Sequence, residues 1–226
     1  MLADLHSHTT LSDGSLSFEE LVSAAERNDY DVLAITDHVG PTTDHREVAV
    51  TVRAEVDRLS PDTSVRLLAG VEITDFEPAV MDRIAREVRG AGAQMVVAHG
   101  ECLMLDVYSG TNAAAVRSRN IDILAHPGLL TRADAFMAAR NGVFLELSAL
   151  VHASYANGHV FHVAQQAGAP IVVNSDAHAR DHLLTPRKVA AVIVGAGGTT
   201  ADVQRVVDQA PSALARHALK ALAAVS

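Results

Sequence analysis

Two short stretches of the chain, His6-Ser7-His8 and Asp176-Ala177-His178, each place two metal-binding side chains two positions apart. In an extended segment residues i and i+2 share a face, so one cation can take two ligands from three residues. Five further residues of the same chemistry stand at comparable places in the chain: Asp13, His38, Glu72, His99 and His126. Imidazole and carboxylate donors without sulfur suit zinc, manganese or iron, and the donor set does not choose among them. Nine candidate ligands are too many for one tetrahedral ion, so two or three divalent ions sharing a bridging carboxylate are the economical solution. Glu72 ends an apolar run in Gly70-Val71-Glu72, where an unpaired buried carboxylate is costly and a cation would offset that cost. Asp13 also fits an ordinary turn, Ser12-Asp13-Gly14.

The elements that position these residues follow from the apolar pattern. Short apolar runs at 2–5, 32–35, 67–71, 95–98, 121–125, 143–147 and 171–173 read as strands buried on both faces. Between them lie stretches of helical period. Phe18, Leu21, Val22 and Ala25 form the first, opened by Ser17 as N-cap with Glu20 three residues on. Val48, Val52, Val56 and Leu59 form a second; Val80, Ile84 and Val88 a third. Further helices start after Thr131 and at Thr185-Pro186, Val160, Val163 and Ala167 share one face, and Thr200 is an expected cap. Strand and helix alternation implies parallel strands with right-handed crossovers. Seven units favour a single-domain α/β barrel over residues 1–226, a distorted (β/α)7 form, and no linker or repeat divides the chain. The first turn lacks a glycine-rich nucleotide fingerprint. In such a barrel the residues that follow the strands converge at the C-terminal mouth, which would gather all nine donors.

Composition narrows the function. Lys and Arg number 18 against 27 Asp and Glu, a formal charge of −9, which repels phosphate backbones and makes long nucleic acid or an anionic membrane an unsuitable partner. Three bound divalent ions would reduce that to −3 and reverse the local field where a phosphate lands. The single Cys102 excludes an internal disulfide and a thiolate zinc cluster. No run is long enough to span a membrane, and the opening residues are not those of a signal peptide. The expectation is cytoplasmic; oligomeric state is not legible.

In sequence order, Asp4-Leu5-His6-Ser7-His8, Ser12-Asp13-Gly14, Thr36-Asp37-His38, Gly70-Val71-Glu72, Ala98-His99-Gly100, Ala125-His126-Pro127 and Asn174-Ser175-Asp176-Ala177-His178 resemble the motifs of the PHP (polymerase and histidinol phosphatase) superfamily. The resemblance runs from residue 2 to about 180, and 99–112 and 157–160 are most similar to its small stand-alone, histidinol-phosphatase-like members. It implies a seven-stranded barrel with two or three metal ions and phosphoesterase activity. By position it implies one ion on His6, His8, Glu72 and Asp176, a second bridged by Glu72 to His99 and His126, and a third on Asp13, His38 and His178. Some relatives carry histidine at the place of Asp13. The ribonuclease P barrel subunit resembles the fold but lacks most of the ligands.

The expected chemistry is hydrolysis of a small phosphomonoester, histidinol phosphate or a nucleoside phosphate, by water whose pKa is lowered toward ~7 between cations. Glu72 is expected to serve catalysis as the bridge. Arg132 and Arg180 are candidates for a bidentate phosphate clamp, though each also reads as a surface arginine. Glu101 would orient an imidazole, bind a substrate amine or simply start a helix, and His182 would protonate the leaving group. His152 is placed to touch substrate, His159 and His162 form a helix pair that suits metal only if it faces the mouth, and His45 and His217 read as surface residues. Cys102 has no dedicated base and is a poor nucleophile candidate. One alternative is a non-catalytic metal-stabilised barrel acting as scaffold or subunit, against which the complete ligand set argues. Another is C–N hydrolysis on an amidohydrolase-like barrel, which often needs a bridging lysine; Lys188 and Lys220, the only lysines, follow no early strand.

Overall fold

Each apolar run forms a strand, and every strand pairing in the computed structural model, which describes residues 1–208, is parallel. The strands are β1 (Ala3–Asp4), β2 (Val32–Ile35), β3 (His38–Val39), β4 (Arg66–Ile73), β5 (Met95–His99), β6 (Ile123–Ala125), β7 (Phe144–Ser148) and β8 (Ile171–Asn174). They are ordered β1-β2-β4-β5-β6-β7-β8, and β3 resumes the stave of β2 beside β4. The path therefore has seven staves. Ser7 and Ala177 bridge in parallel across the two outer staves, with the His8 N–H on the Ala177 carbonyl at 2.9 Å. The result is a nearly closed barrel.

Strand alternation sorts the core into two shells. Val32, Ala34, Leu68, Met95, Val97, Ile123, Phe144 and Val172 form one buried cluster, which fills the barrel. Leu33, Ile35, Ala69, Val71, Val96, Leu145 and Leu147 belong to the larger cluster, against the helices. Continuing the inner series by two residues reaches His99 on β5, Glu146 on β7 and Asn174 on β8, and by four, past Gly70, Glu72 on β4. The barrel thus ends in a polar layer at its C-terminal mouth.

The outer layer comprises α1 (Phe18–Arg27), α2 (His45–Leu59), α3 (Met81–Gly90), α4 (Thr111–Arg117), α5 (Arg132–Asn141), α6 (Asn157–Ala167) and α7 (Pro186–Gly195), with helix again from residue 200. Ser17 and Glu20 exchange hydrogen bonds as a capping box, and Thr131 and Thr185 cap α5 and α7. The last cap is Thr199 and not Thr200: Asp202, three residues beyond Thr199, accepts its N–H at 2.8 Å and donates its own to the Thr199 hydroxyl at 3.3 Å. Helix α4 has no clear apolar repeat, because Thr111 and Asn112 share its buried side with Ala115 and Val116. Among the described residues no helix is long and apolar enough to cross a membrane. The expectations for His217 and Lys220 fall outside the described residues.

Candidate metal centre

The loop after β1 is held in a shape that throws both of its imidazoles to one side. Ser7, between them, points to β2: its hydroxyl donates to the Ala34 carbonyl at 2.7 Å, and its N–H reaches the Thr36 hydroxyl at 3.1 Å. Asp37 then anchors the rest of the loop, accepting from the Thr9 N–H at 2.8 Å, the Thr9 hydroxyl at 2.8 Å and the Ser12 hydroxyl at 2.6 Å. Its carboxylate is thus committed to the loop, while its neighbour His38 turns into the site.

Glu72 stands at the centre of the cluster. Its Oε2 is 3.2 Å from His6 Nε2, 3.5 Å from His8 Nε2 and 2.9 Å from His38 Nδ1. Its Oε1 is 3.1 Å from His99 Nδ1 and 3.6 Å from His126 Nε2. Asp176 Oδ1 lies 3.5 Å from His6 Nε2 and 3.2 Å from His8 Nε2, and its Oδ2 lies 3.7 Å from His126 Nε2. Asp13 Oδ1 is 3.6 Å from His38 Nε2 and 3.3 Å from His178 Nε2. The rings of His38 and His178 each stack on His8 with centroids 4.3 Å apart.

All nine sequence candidates therefore share one cluster. Their donor atoms form four overlapping groups: His8, Asp13, His38 and His178; His6, His126 and Asp176; His6, His8 and Glu72; and His38, Glu72 and His99. His126 groups with His6 and Asp176 as well as lying near Glu72, so the division by ion implied by the family pattern is not the only one this geometry allows.

Whether a cation fits is decided by the donors themselves. His6 Nε2, His8 Nε2 and Glu72 Oε2 are buried without a hydrogen-bond partner, a state that costs about 1–3 kcal/mol per group. Cations at the cluster would engage these atoms, and the residues fit them. Burial opposes ionisation of Glu72, but His6, His38 and His99 outweigh it and hold the carboxyl well below its usual range. Burial also opposes protonation of His38, yet Glu72 and Asp13 push it up to about 9. Asp13 is brought down to about 2 against its partial burial, chiefly by His178 and His38.

The backbone is strained at two donors. His126 has φ 27° and Asp176 φ 53°, a region that costs a non-glycine residue on the order of 1–3 kcal/mol. Close by, Gly128 has φ 60°, and a Cβ there would lie 1.9 Å from the Glu101 carbonyl oxygen. Gly128→Ala is therefore expected to destabilise the fold by about 2 kcal/mol or more and to displace His126; thermal melts with metal content measured alongside check both.

A cavity of about 500 Å³ lies over the cluster, with Cys102, Leu105, His152 and His182 in its wall. It shares Asp13 and His38 with an adjoining groove of about 950 Å³ that includes Leu11, Pro41, Asp75, Asp106 and Tyr108. Neither wall contains Arg132 or Arg180, a correction to their expected place beside phosphate. Thr131 caps α5, leaving Arg132 exposed at its first position, and Arg180 is exposed where a 3-10 turn begins. Of the roles open to Glu101, the structure shows the one at a helix start: its Oε1 accepts the N–H groups of Gly110 and Asn112 at 3.1 and 3.0 Å, capping α4. His182 does line the cavity, but its Nδ1 accepts the His178 N–H at 3.2 Å. An accepting Nδ1 leaves Nε2 as the ring atom that can donate a hydrogen bond.

Other histidines are accounted for elsewhere. His159 bonds the Leu130 carbonyl, His162 meets Gln166, and neither lines the cavity. His45 is partly buried and pairs with Glu87 at 2.7 Å. Sequence reasoning missed Glu146, fully buried on β7, whose Oε2 lies 2.9 Å from His6 Nδ1. The available signal was a lone charge inside the apolar run Phe144-Leu145-Glu146-Leu147.

Comparison with known proteins supplies the lineage. An uncharacterized protein of Methanocaldococcus jannaschii is 31% identical over 217 residues, covering 96% of this chain and 100% of that protein. A chain in the structure of archaeal ribonuclease P with mature tRNA superposes with TM-score 0.70 at 14% identity, covering 95% of this chain and 90% of that one. Histidinol phosphate phosphatase from Lactococcus lactis, solved with zinc, L-histidinol and phosphate, superposes with TM-score 0.60 at 12% identity, covering 88% and 94%. At these identities the two superpositions speak for the fold alone. Residues 4–225 match the PHP domain, and the chain belongs to that family.

Proposed function

We propose that the protein is a metal-dependent phosphoesterase that hydrolyses a small phosphomonoester at the barrel mouth. The observation that carries this reading is the convergence of nine donors with partnerless buried atoms among them. Bound divalent ions supply Lewis acidity, charge neutralisation of phosphate and water activated near neutral pH. His6, His8, Asp13, His38, Glu72, His99, His126, Asp176 and His178 would hold them. His182 offers its Nε2–H to a phosphate or leaving-group oxygen in the cavity, and His152 stands in the same wall. Leu105, Leu150 and Val151 add apolar surface to the cavity wall.

The substrate class follows from charge. Among the described residues no Lys or Arg lines the cavity or the groove, and the groove presents Asp75 and Asp106. A phosphate therefore finds positive charge only at the ions, and the organic part that enters the groove is neutral or cationic. This disfavours a long nucleic acid and suits histidinol phosphate better than a nucleoside phosphate. The phosphatase fold neighbour, solved with zinc, L-histidinol and phosphate, supports the same choice. The reading includes one domain and a cytoplasmic setting.

The test loads purified protein with Mn or Zn and measures phosphate release from an aryl phosphate and a panel of metabolite phosphomonoesters and dinucleotides. Release from a monoester that disappears in His8→Ala is expected. A metal-replete protein that releases no phosphate from the whole panel contradicts the enzyme and favours the scaffold reading, to which the ribonuclease P fold neighbour is relevant.

A further inference from the structure

Glu146 is fully buried in the polar layer that also holds Glu72 and His99, but it belongs to none of the four donor groups. Its side chain points into the barrel, where the same stave offers Phe144 two residues earlier. A carboxylate at such a depth needs partners, and it has two on a single oxygen. Oε2 lies 2.9 Å from His6 Nδ1 and accepts the Asn174 side-chain N–H at 2.8 Å. Asn174 in turn accepts the Leu5 N–H at 3.0 Å through its Oδ1. The network therefore grips the backbone immediately before His6 and the ring of His6 itself, joining β7, β8 and the end of β1.

We infer that Glu146 is a positioning residue of the metal centre, setting the tautomer and the ring orientation of His6. A hydrogen bond from Nδ1–H to Glu146 leaves the lone pair on Nε2, the atom that faces Glu72 and Asp176 at 3.2 and 3.5 Å. A carboxylate behind a ligating imidazole also raises its basicity and strengthens the bond to a cation. The other carboxylate oxygen, Oε1, is buried with no hydrogen-bond partner. Neither packing nor the Asn174 contact calls for a carboxyl group at that place, since a glutamine would serve both. A cation held by His6 would call for one, because the carboxyl group stands 2.9 Å from His6 Nδ1, one imidazole away from the ligating Nε2.

The inference rests on the metal-centre reading, and its test separates the two. Glu146→Gln keeps the shape and an acceptor for Nδ1–H but removes the charge; Glu146→Ala removes both. Zinc affinity is measured by competition with a chromophoric chelator for the unaltered protein and each variant, and the metal-free melting temperature is recorded alongside. The most affected ion is expected to bind about 10-fold more weakly in Glu146→Gln and about 100-fold more weakly in Glu146→Ala, with at least one other ion unaffected in the glutamine variant. The metal-free melting temperature of Glu146→Gln is expected to stay within about 4 °C, equivalent to roughly 1 kcal/mol for a chain of this size. Affinities in Glu146→Gln within twofold of the unaltered protein overturn the positioning role while leaving the metal centre standing. Absence of zinc binding by the unaltered protein overturns both.

Discussion

Glu72→Ala is expected to lower phosphate release by about 10³-fold, the upper end of the loss seen when one preorganised group is removed from a reacting centre. The size follows from its place. Both oxygens are used, one toward His6, His8 and His38 and the other toward His99 and His126, so no second residue duplicates it. The substitution also leaves a cluster of imidazoles facing a cavity with one central carboxylate, Asp176, where there were two. The ions would then lose a shared ligand and part of the negative charge that offsets their own, and metal stoichiometry is expected to drop below that of the unaltered protein. Phosphate release assayed with metal content on the same samples checks the pair of effects; wild-type turnover in a variant that retains its metal contradicts the bridging role.

Acidification is expected to strip the metal steeply. In the metal-free protein burial opposes protonation of His6, His38, His126 and His178, but the surrounding carboxylates hold all four above the ordinary imidazole value, His38 at about 9. A cation must displace whatever protons these rings carry, and each proton displaced weakens apparent affinity by about tenfold per pH unit of acidification. His8, lowered by burial and by its imidazole neighbours, adds no such competition. Zinc competition titrations at several values between pH 6 and 9 should show affinity rising with pH, and a flat profile contradicts the linkage. The metal-free fold has the opposite alkaline dependence. The contribution of His38 to its stability is fully present below about 6.5 and lost as pH rises through about 9, whereas that of Asp13 is present above about 3.8 and lost as pH falls through about 2. Loaded and metal-free melting temperatures should therefore diverge as pH rises.

The staves were legible because they are buried on both faces and read as mainly apolar runs, uninterrupted in Val32–Ile35 and in 171–173 and broken by a single acid in 2–5, 121–125 and 143–147. The nine donors were legible because a strand ends where its apolar run ends, and the next polar residue is carried to the mouth. Residues one helix further on were not. Whether Arg132 faces phosphate or solvent depends on the angle at which α5 leaves Thr131, and whether Glu101 faces an ion or a helix end depends on where α4 begins. Helix α4 itself hides behind buried Thr111 and Asn112. Glu146 was hidden by the opposite effect: its neighbours are so apolar that the run reads as plain core, although strand parity points it inward two residues above Phe144.

The seam between β1 and β8 gives the centre a place in time as well as in space. Leu5 meets Asn174 across 169 positions of chain, and two of the four donor groups include Asp176 or His178. While the chain is being synthesised, the earliest histidines must wait for the last stave before those groups exist. Long-range contacts of this kind are also the slowest to form. A full complement of ions would therefore mark a finished barrel, and cations spanning its first and last staves would act as a clasp on the ring.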